Sequence, residues 1–268
     1  MASSSIKGNP TAAATVFLLV VLQLQAAAFA AGAAPGSEEQ REFDYFVLAL
    51  QWPATSCTNP GKCCPSNGCC RGAESPTEFT IHGLWPQYEE KGWPSCCSDA
   101  SFSENEILSL NKDIQKYWPT YRCGTTSTCH RTKGSFWAHE YEKHGTCAAP
   151  VIVGEFDYFL TTLTIFSKYN VTKVLNDAGF VASDTEKYAL GDVVAAVQDA
   201  FNATPKISCA KKGAVKELWL CFDKTFQPRD CDLANSCPDF IKLPTYEPQE
   251  ANKVEGAIPW MGDAEAII

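Results

Sequence analysis

The sequence predicts an α+β fold, a single central sheet with helices packed around it and many disulfides. Three observations carry that expectation. Apolar-patterned segments follow one another as strand, strand, several helices, strand, without the regular alternation of a parallel α/β chain. The first of these strands is apolar on both faces, which places it inside a sheet covered on both sides. Fourteen cysteines, an even number, all follow an apolar N-terminal segment, so disulfides are the expected state of an exported chain.

The elements follow in order. Lys7 precedes an apolar run from Ala12 to Ala30 that ends Ala28-Phe-Ala30. This is the pattern of a secretory signal peptide with an A-x-A cleavage site, so residues 1–30 are read as a leader. No second apolar run is long enough to span a bilayer, and no membrane anchor is expected. Phe43 to Trp52 reads as the first strand, stopped by Pro53, with Gln51 the polar residue at its end. Cys57 to Cys70 is a disulfide-dense loop. Its doublets, Cys63-Cys64 and Cys69-Cys70, lack the C-x-x-C spacing of zinc sites. Glu78 to Gln87 is a second strand whose alternation puts Phe79 and Ile81 on one face and Thr80 and His82 on the other. Gly83 and Pro86 are expected to end it, leaving His82 at the strand mouth with Trp85 nearby.

Ser103-Glu-Asn-Glu106 has the form of a capping box opening a helix to about Trp118, with Ile107, Leu110 and Ile114 on one stripe and Pro119 as the stop. His130 lies in a polar loop, Cys123 to Gly134, and reads as an exposed residue without a role. Phe156 to Tyr169 is a core helix by its spacing. Asn170 to Ala178 and Asp192 to Phe201 read as two more helices, and Val215 to Phe222 as the last clear strand. No repeat or linker interrupts residues 41–245, so 31–247 is taken as one domain. Residues 248–268 form a tail, either a propeptide or sorting signal or a plain extension. Asn170-Val-Thr and Asn202-Ala-Thr are glycosylation sequons.

The formal net charge is −9. A broad basic face for polyanions is not expected, so any nucleic acid must be held locally, where the few cations gather.

The chemistry concentrates in Ser135-Phe-Trp-Ala-His-Glu-Tyr-Glu-Lys-His-Gly-Thr-Cys147. Ser135 suits a helix N-cap and Gly145 a C-terminal stop. At about 100° per residue, His139 and Lys143 share one stripe and Glu140 and His144 the next. Cys147, just past this helix, is expected to pair back to Cys96 or Cys97 and fasten the helix end. A charged helix face is ordinarily a solvated surface; two imidazoles beside Phe136 and Trp137 point to chemistry that needs a partner elsewhere. The pattern is not H-E-x-x-H. In a regular helix the i, i+5 spacing turns His144 about 140° from His139, which speaks against a shared metal. No G-x-S-x-G turn or glycine-rich phosphate cradle is present, and paired cysteines cannot serve as nucleophiles. Acid–base chemistry by histidines remains, with one imidazole neutral and another protonated in weak acid. RNA cleavage through the 2′-hydroxyl fits, because the nucleophile belongs to the substrate.

Ile81-His-Gly-Leu-Trp-Pro86 and Trp137-Ala-His-Glu-Tyr-Glu-Lys-His-Gly-Thr-Cys147 resemble the two active-site segments of the ribonuclease T2 family, above all the S-like ribonucleases of plants. Gln51-Trp-Pro53 with Cys57 matches a third landmark, and the cysteine spacing agrees over residues 41 to about 245. The resemblance implies a mainly antiparallel sheet and a secreted or vacuolar acid endoribonuclease. That enzyme would act on single-stranded RNA, not DNA, with little base selectivity, as a monomer and without metal or other cofactor. His144 would be the base that takes the 2′-hydroxyl proton, and His82 the acid that protonates the departing 5′-oxygen. His139, Glu140 and Lys143 would position the phosphate and stabilise transition-state charge. Gln51, Trp85 and Phe136 would line base sites. Tyr141 stands where the family commonly has Trp, an expected packing adjustment. The rival reading is a catalytically silent member serving in storage or defence; loss of His82 or His144 would have favoured it, and both are present.

Overall fold

The computed structural model describes residues 40–57, 63–64, 66–90, 92–129 and 132–247. The expected leader, His130 and the 248–268 tail lie outside them. In chain order the elements are β1 (Tyr45–Gln51), α1 (Pro53–Ser56), β2 (Thr80–Gln87), a 3-10 segment (Glu104–Leu110) leading into α2 (Asn111–Tyr117), β3 (Thr126–Ser127), β4 (Lys133–Gly134) and α3 (Phe136–Lys143). Then come α4 (Glu155–Lys168), α5 (Val171–Asp177), β5 (Tyr188–Ala189), α6 (Leu190–Phe201), β6 (Lys206–Cys209), β7 (Val215–Phe222), β8 (Pro228–Arg229) and β9 (Phe240–Ile241).

One five-stranded antiparallel sheet organises the chain in the order β2-β1-β7-β6, with β8 pairing β7. β1 lies inside it, as its two apolar faces predict. Phe46, Leu48 and Leu50 join Ile81, Leu84, Leu218, Leu220 and Phe222 in the main core, together with Tyr158, Phe159 and Ile165 of α4. The alternate residues Tyr45, Val47 and Ala49 form a smaller cluster with the Cys221–Cys231 bridge, against which Trp85 and Trp219 pack. The sheet thus has a face buried under helices and an opposite face carrying tryptophans.

The fourteen cysteines form seven disulfides and none is free. Of the two expected partners, Cys147 takes Cys97, while Cys96 pairs with Cys129. Among the described residues no helix is long and apolar enough to cross a membrane.

Two sequence expectations need correction. The capping box at Ser103 does not form: its hydroxyl makes no cap bond and the first turns are 3-10. The reason is a competitor, since Glu155 Oε2 accepts the Ser103 N–H at 2.9 Å, the bond a capping box would give to Glu106. Nor do Gly83 and Pro86 end β2, which runs through both to Gln87. β2 is an edge strand, where a proline's missing donor is tolerated. Gly83 answers a different need: a β-carbon there would stand 2.2 Å from Glu140 Oε2 and 2.3 Å from Trp85 Nε1.

Candidate active site

His82 owes its direction to an irregularity. Ala49 pairs with Gly83 and Leu50 with Ile81, so the register skips His82. One extra residue in β2 makes a β-bulge, which re-aims a side chain. In a regular strand His82 and Trp85, three apart, would point to opposite faces; here both line the same cavity, their rings 4.9 Å apart. The bulge is anchored by Trp118, whose Nε1 donates to the His82 carbonyl at 2.8 Å. Trp118 in turn accepts from Trp137 Nε1 at 2.9 Å. Two indoles therefore tie the strand carrying His82 to the helix carrying the other candidates.

That helix, α3, starts as expected, with Ser135 Oγ accepting the Ala138 N–H at 3.1 Å. It ends one residue before His144, which is the C-cap at φ −114°, ψ −46°. The regular-helix argument separating His139 from His144 therefore fails: their ring centres lie 6.1 Å apart. His139, Glu140 and His144 can offer ligand atoms within 4.8 Å of one another, a spacing that a metal ion could bridge. Glu140 is already engaged, for its Oε2 accepts from Trp85 Nε1 at 2.8 Å.

These side chains meet in a cavity of about 570 Å³ whose lining includes His82, Trp85, His139, Glu140, Lys143 and His144. Trp85 packs near two of the imidazoles, its ring centre 4.9 Å from that of His82 and 5.5 Å from that of His144. Its indole bond fixes Glu140, whose other oxygen is 3.8 Å from His82 Nε2. His139 Nδ1 donates to the Ser127 carbonyl of β3. Phe136 stacks on His82 with centres 5.9 Å apart, but it is not among the cavity-lining residues. Nor is Gln51, whose amide donates to the Ile81 carbonyl at 3.2 Å. Tyr141 is buried against Tyr158. Asn170 and Asn202 are both exposed; Asn170 Oδ1 caps α5 by accepting the Lys173 N–H.

Three residues of the site escaped the sequence reading: Trp93 and Trp219 line the cavity, and Glu217 reaches it through His82. Glu217 of β7 accepts a hydrogen bond from His82 Nδ1 at 2.8 Å, and Trp219 Nε1 donates to its second oxygen at 3.1 Å. Trp93, more than half exposed, stands at the cavity wall. Only the alternation Glu217-Leu-Trp219-Leu of the last strand signals that Glu217 and Trp219 share a face.

The electrostatics separate the imidazoles. Burial pushes His144 down to about 3, and the neighbouring charges of Lys143, His139 and His82 add to the effect. Its Nδ1 has no protein partner among the described residues. Burial opposes the charge on His82 too, but the Glu217 hydrogen bond and the charges of Glu140 and Glu217 outweigh it, so its pKa is raised. Glu140 is raised by burial, only partly offset by His82 and Trp85. Burial would raise Glu217 likewise, yet the bond and charge of His82 hold it below the usual range. One imidazole is poised neutral and the other protonated in weak acid, the environment-driven split that assigns base and acid.

The Ribonuclease T2 family model matches residues 43–231. Ribonuclease 3 of Arabidopsis thaliana is 32% identical over 214 residues, 78% of this chain and 86% of that protein. The solved structure of trichomaglin, described as an S-like ribonuclease, is 54% identical with a TM-score of 0.73, covering 76% of this chain and 99% of its own. That of RNase NT in complex with 5′-AMP is 32% identical with a TM-score of 0.63, covering 77% of this chain and 100% of its own. With a match over most of its length, a mainly antiparallel sheet and histidines gathered in one cavity, the chain belongs to the ribonuclease T2 family and is an endoribonuclease of that type.

Proposed function

We propose that the protein is an acid endoribonuclease of the secretory pathway, secreted or vacuolar, that cuts single-stranded RNA with little base selectivity. The observation that carries this reading is that His82 and His144 line one cavity, each beside Trp85, with oppositely shifted pKa values. His144, neutral through weak acid, takes the proton of the 2′-hydroxyl. The oxygen attacks its own phosphorus, and His82 delivers a proton to the departing 5′-oxygen. The first product is a 2′,3′-cyclic phosphate; in the second step the roles exchange, with His82 activating water and His144 protonating the 2′-oxygen.

Glu217 holds His82 Nδ1 so that Nε2 carries the transferable proton, the part an orienting carboxylate plays beside a histidine. Lys143 supplies positive charge to the phosphate, His139 helps to position it, and Glu140 keeps the His82 face and Trp85 in register. Trp85 and Trp93 offer ring faces to bases, and stacking tolerates any base. Gln51 and Phe136 support the site from behind, through the Ile81 carbonyl and the His82 ring. RNase NT has been solved with a nucleotide bound, which supports nucleotide recognition by this fold. The exposure of Asn170 and Asn202 suits glycosylation, and residues 1–30 suit removal during export. We place RNA turnover, phosphate recycling or defence as the roles such an activity serves.

The deciding experiment is RNA cleavage in weak acid, about pH 5, with EDTA present. Wild type is expected to cut RNA and leave DNA intact, because DNA lacks the 2′-hydroxyl. His82→Phe and His144→Phe should each lose about 10²–10⁴-fold. Full activity in either variant sinks the mechanism, and abolition of wild-type cleavage by EDTA sinks its metal independence.

A further inference from the structure

Three cations line the cavity: Lys143, Lys206 and Arg229. Arg229 is answered by carboxylates, bonded to both oxygens of Glu89 and 3.6 Å from Asp232. Lys143 belongs to the proposed phosphate clamp. Lys206 has neither role. It opens β6 opposite Trp219 in the antiparallel register, so both side chains leave the sheet on the cavity face. Its ammonium lies 3.8 Å from the centre of the Trp219 ring, and among the described residues it forms no ion pair with a carboxylate.

An ammonium held by a carboxylate is neutralised, whereas one held by a ring face keeps its charge and its N–H donors. The ring is itself fixed: Trp219 Nε1 donates to Glu217, and its plane stands at 90° to Trp85 with centres 5.5 Å apart. Lys206 is thereby linked through Trp219 and Glu217 to His82. Burial works against its charge and lowers its pKa, with Glu217 offsetting part of the effect. A partly desolvated cation that no acid neutralises is complemented by an incoming anion.

We propose that Lys206, on its Trp219 platform, is a second phosphate subsite that binds a phosphodiester flanking the scissile one in the same RNA strand. The proposal rests on the ribonuclease reading and adds to it a site for substrate length. In a chain of net charge −9, such local sites are where affinity for a polyanion must reside.

The test compares wild type, Lys206→Ala and Lys206→Arg. Substrates are a dinucleoside monophosphate, which carries only the scissile phosphate, and oligonucleotides lengthened by one nucleotide on either end. Lys206→Ala should leave kcat/KM on the dinucleoside within about twofold and lose about 10-fold on the lengthened substrates at low salt. Lys206→Arg should retain the length effect. The log–log salt dependence of binding should flatten by about 0.7 in Lys206→Ala. A methylphosphonate at the flanking linkage should weaken wild type and leave Lys206→Ala indifferent.

Equal losses on short and long substrates, or no loss on long ones, overturn the subsite. So does complete suppression of the Lys206 effect by inorganic phosphate without any dependence on length, which would assign the site to a free anion. Equilibrium binding of uncleavable 2′-O-methyl oligonucleotides runs alongside. A wild type that binds but never cuts RNA would remove the catalytic reading alone, while equal binding by wild type and Lys206→Ala removes the subsite.

Discussion

His82 Nδ1 and Glu217 Oε1 lie 2.8 Å apart, although 135 residues separate them in the chain. They meet because β1 lies between their strands, pairing Gln51 with Glu217 on one side and Thr80 on the other. The contact raises the histidine and lowers the carboxylate, so the pair favours an imidazolium beside an anion. Glu217→Gln keeps an acceptor but removes the charge. It is expected to lower the pKa of His82 and move the high-pH limb of the kcat/KM profile toward acid, leaving the low-pH limb in place. Glu217→Ala also frees the tautomer and should cost about 10–100-fold in kcat. A profile unmoved in Glu217→Gln would dismiss the charge coupling.

Gly83→Ala forces a β-carbon into the Trp85–Glu140 hydrogen bond. Breaking a buried bond to a carboxylate leaves both partners unsatisfied and should destabilise the fold by about 1–3 kcal/mol in a denaturant titration. Activity in the surviving folded fraction should fall as well, since Glu140 no longer faces His82. Wild-type stability in this variant would show that the two side chains can part without cost.

Stability should depend on pH through two buried groups of opposite sign. Burial lifts Glu155 to about 7, with Glu106 and Glu142 adding to it against the Ser103 N–H bond, and its Oε1 has no protein partner among the described residues. The folded state keeps that proton where the unfolded chain releases it, so this contribution is present in acid and is lost as pH rises toward 7. Glu155→Gln should therefore unfold at a higher temperature than wild type at neutral pH, with the gain shrinking in acid.

His144 acts the other way. Held down to about 3, it stays neutral in the folded state where the unfolded imidazole takes a proton. That contribution is present above about pH 6.5 and is lost progressively as pH falls toward 3. His144→Phe should flatten the acid side of the thermal-stability profile. An unchanged acid limb in the variant would refute the assignment.

Cys97–Cys147 closes a loop of 50 residues just beyond His144. Replacing both cysteines by serine should cost about 2–5 kcal/mol of stability. Because Cys147 follows His144 by a single turn of 3-10 helix, kcat should fall more than the stability loss alone predicts, measured well below the melting temperature.

Much of this arrangement was legible in the residues. The two apolar faces of β1, the Ser135 cap and the helical spacing of α4 all rest on local patterns, and the structure realises them. What escaped depends on partners remote in sequence. Ser103 reads as a capping box until Glu155 arrives from α4 to take its N–H. Glu217 reads as an ordinary strand carboxylate until the sheet order brings it beside His82. Gly83 and Pro86 read as punctuation because their tolerances, a close approach and an edge position, exist only in the assembled sheet. Gln51 and Phe136 do reach the neighbourhood of His82, through the Ile81 carbonyl and the His82 ring.

The residue that the register skips has a practical corollary for anyone judging relatives by motif alone. His82 faces the cavity because β2 is one residue longer there than β1 opposite it. A single insertion in β1 across from His82, or a deletion beside it, would restore even alternation and set His82 and Trp85 on opposite faces while leaving every histidine, glutamate and lysine in place. Such a chain would pass any inventory of active-site letters and still be inert. Competence here is encoded partly as a difference in strand length, and loss of activity can therefore be sought in gaps as well as in substitutions.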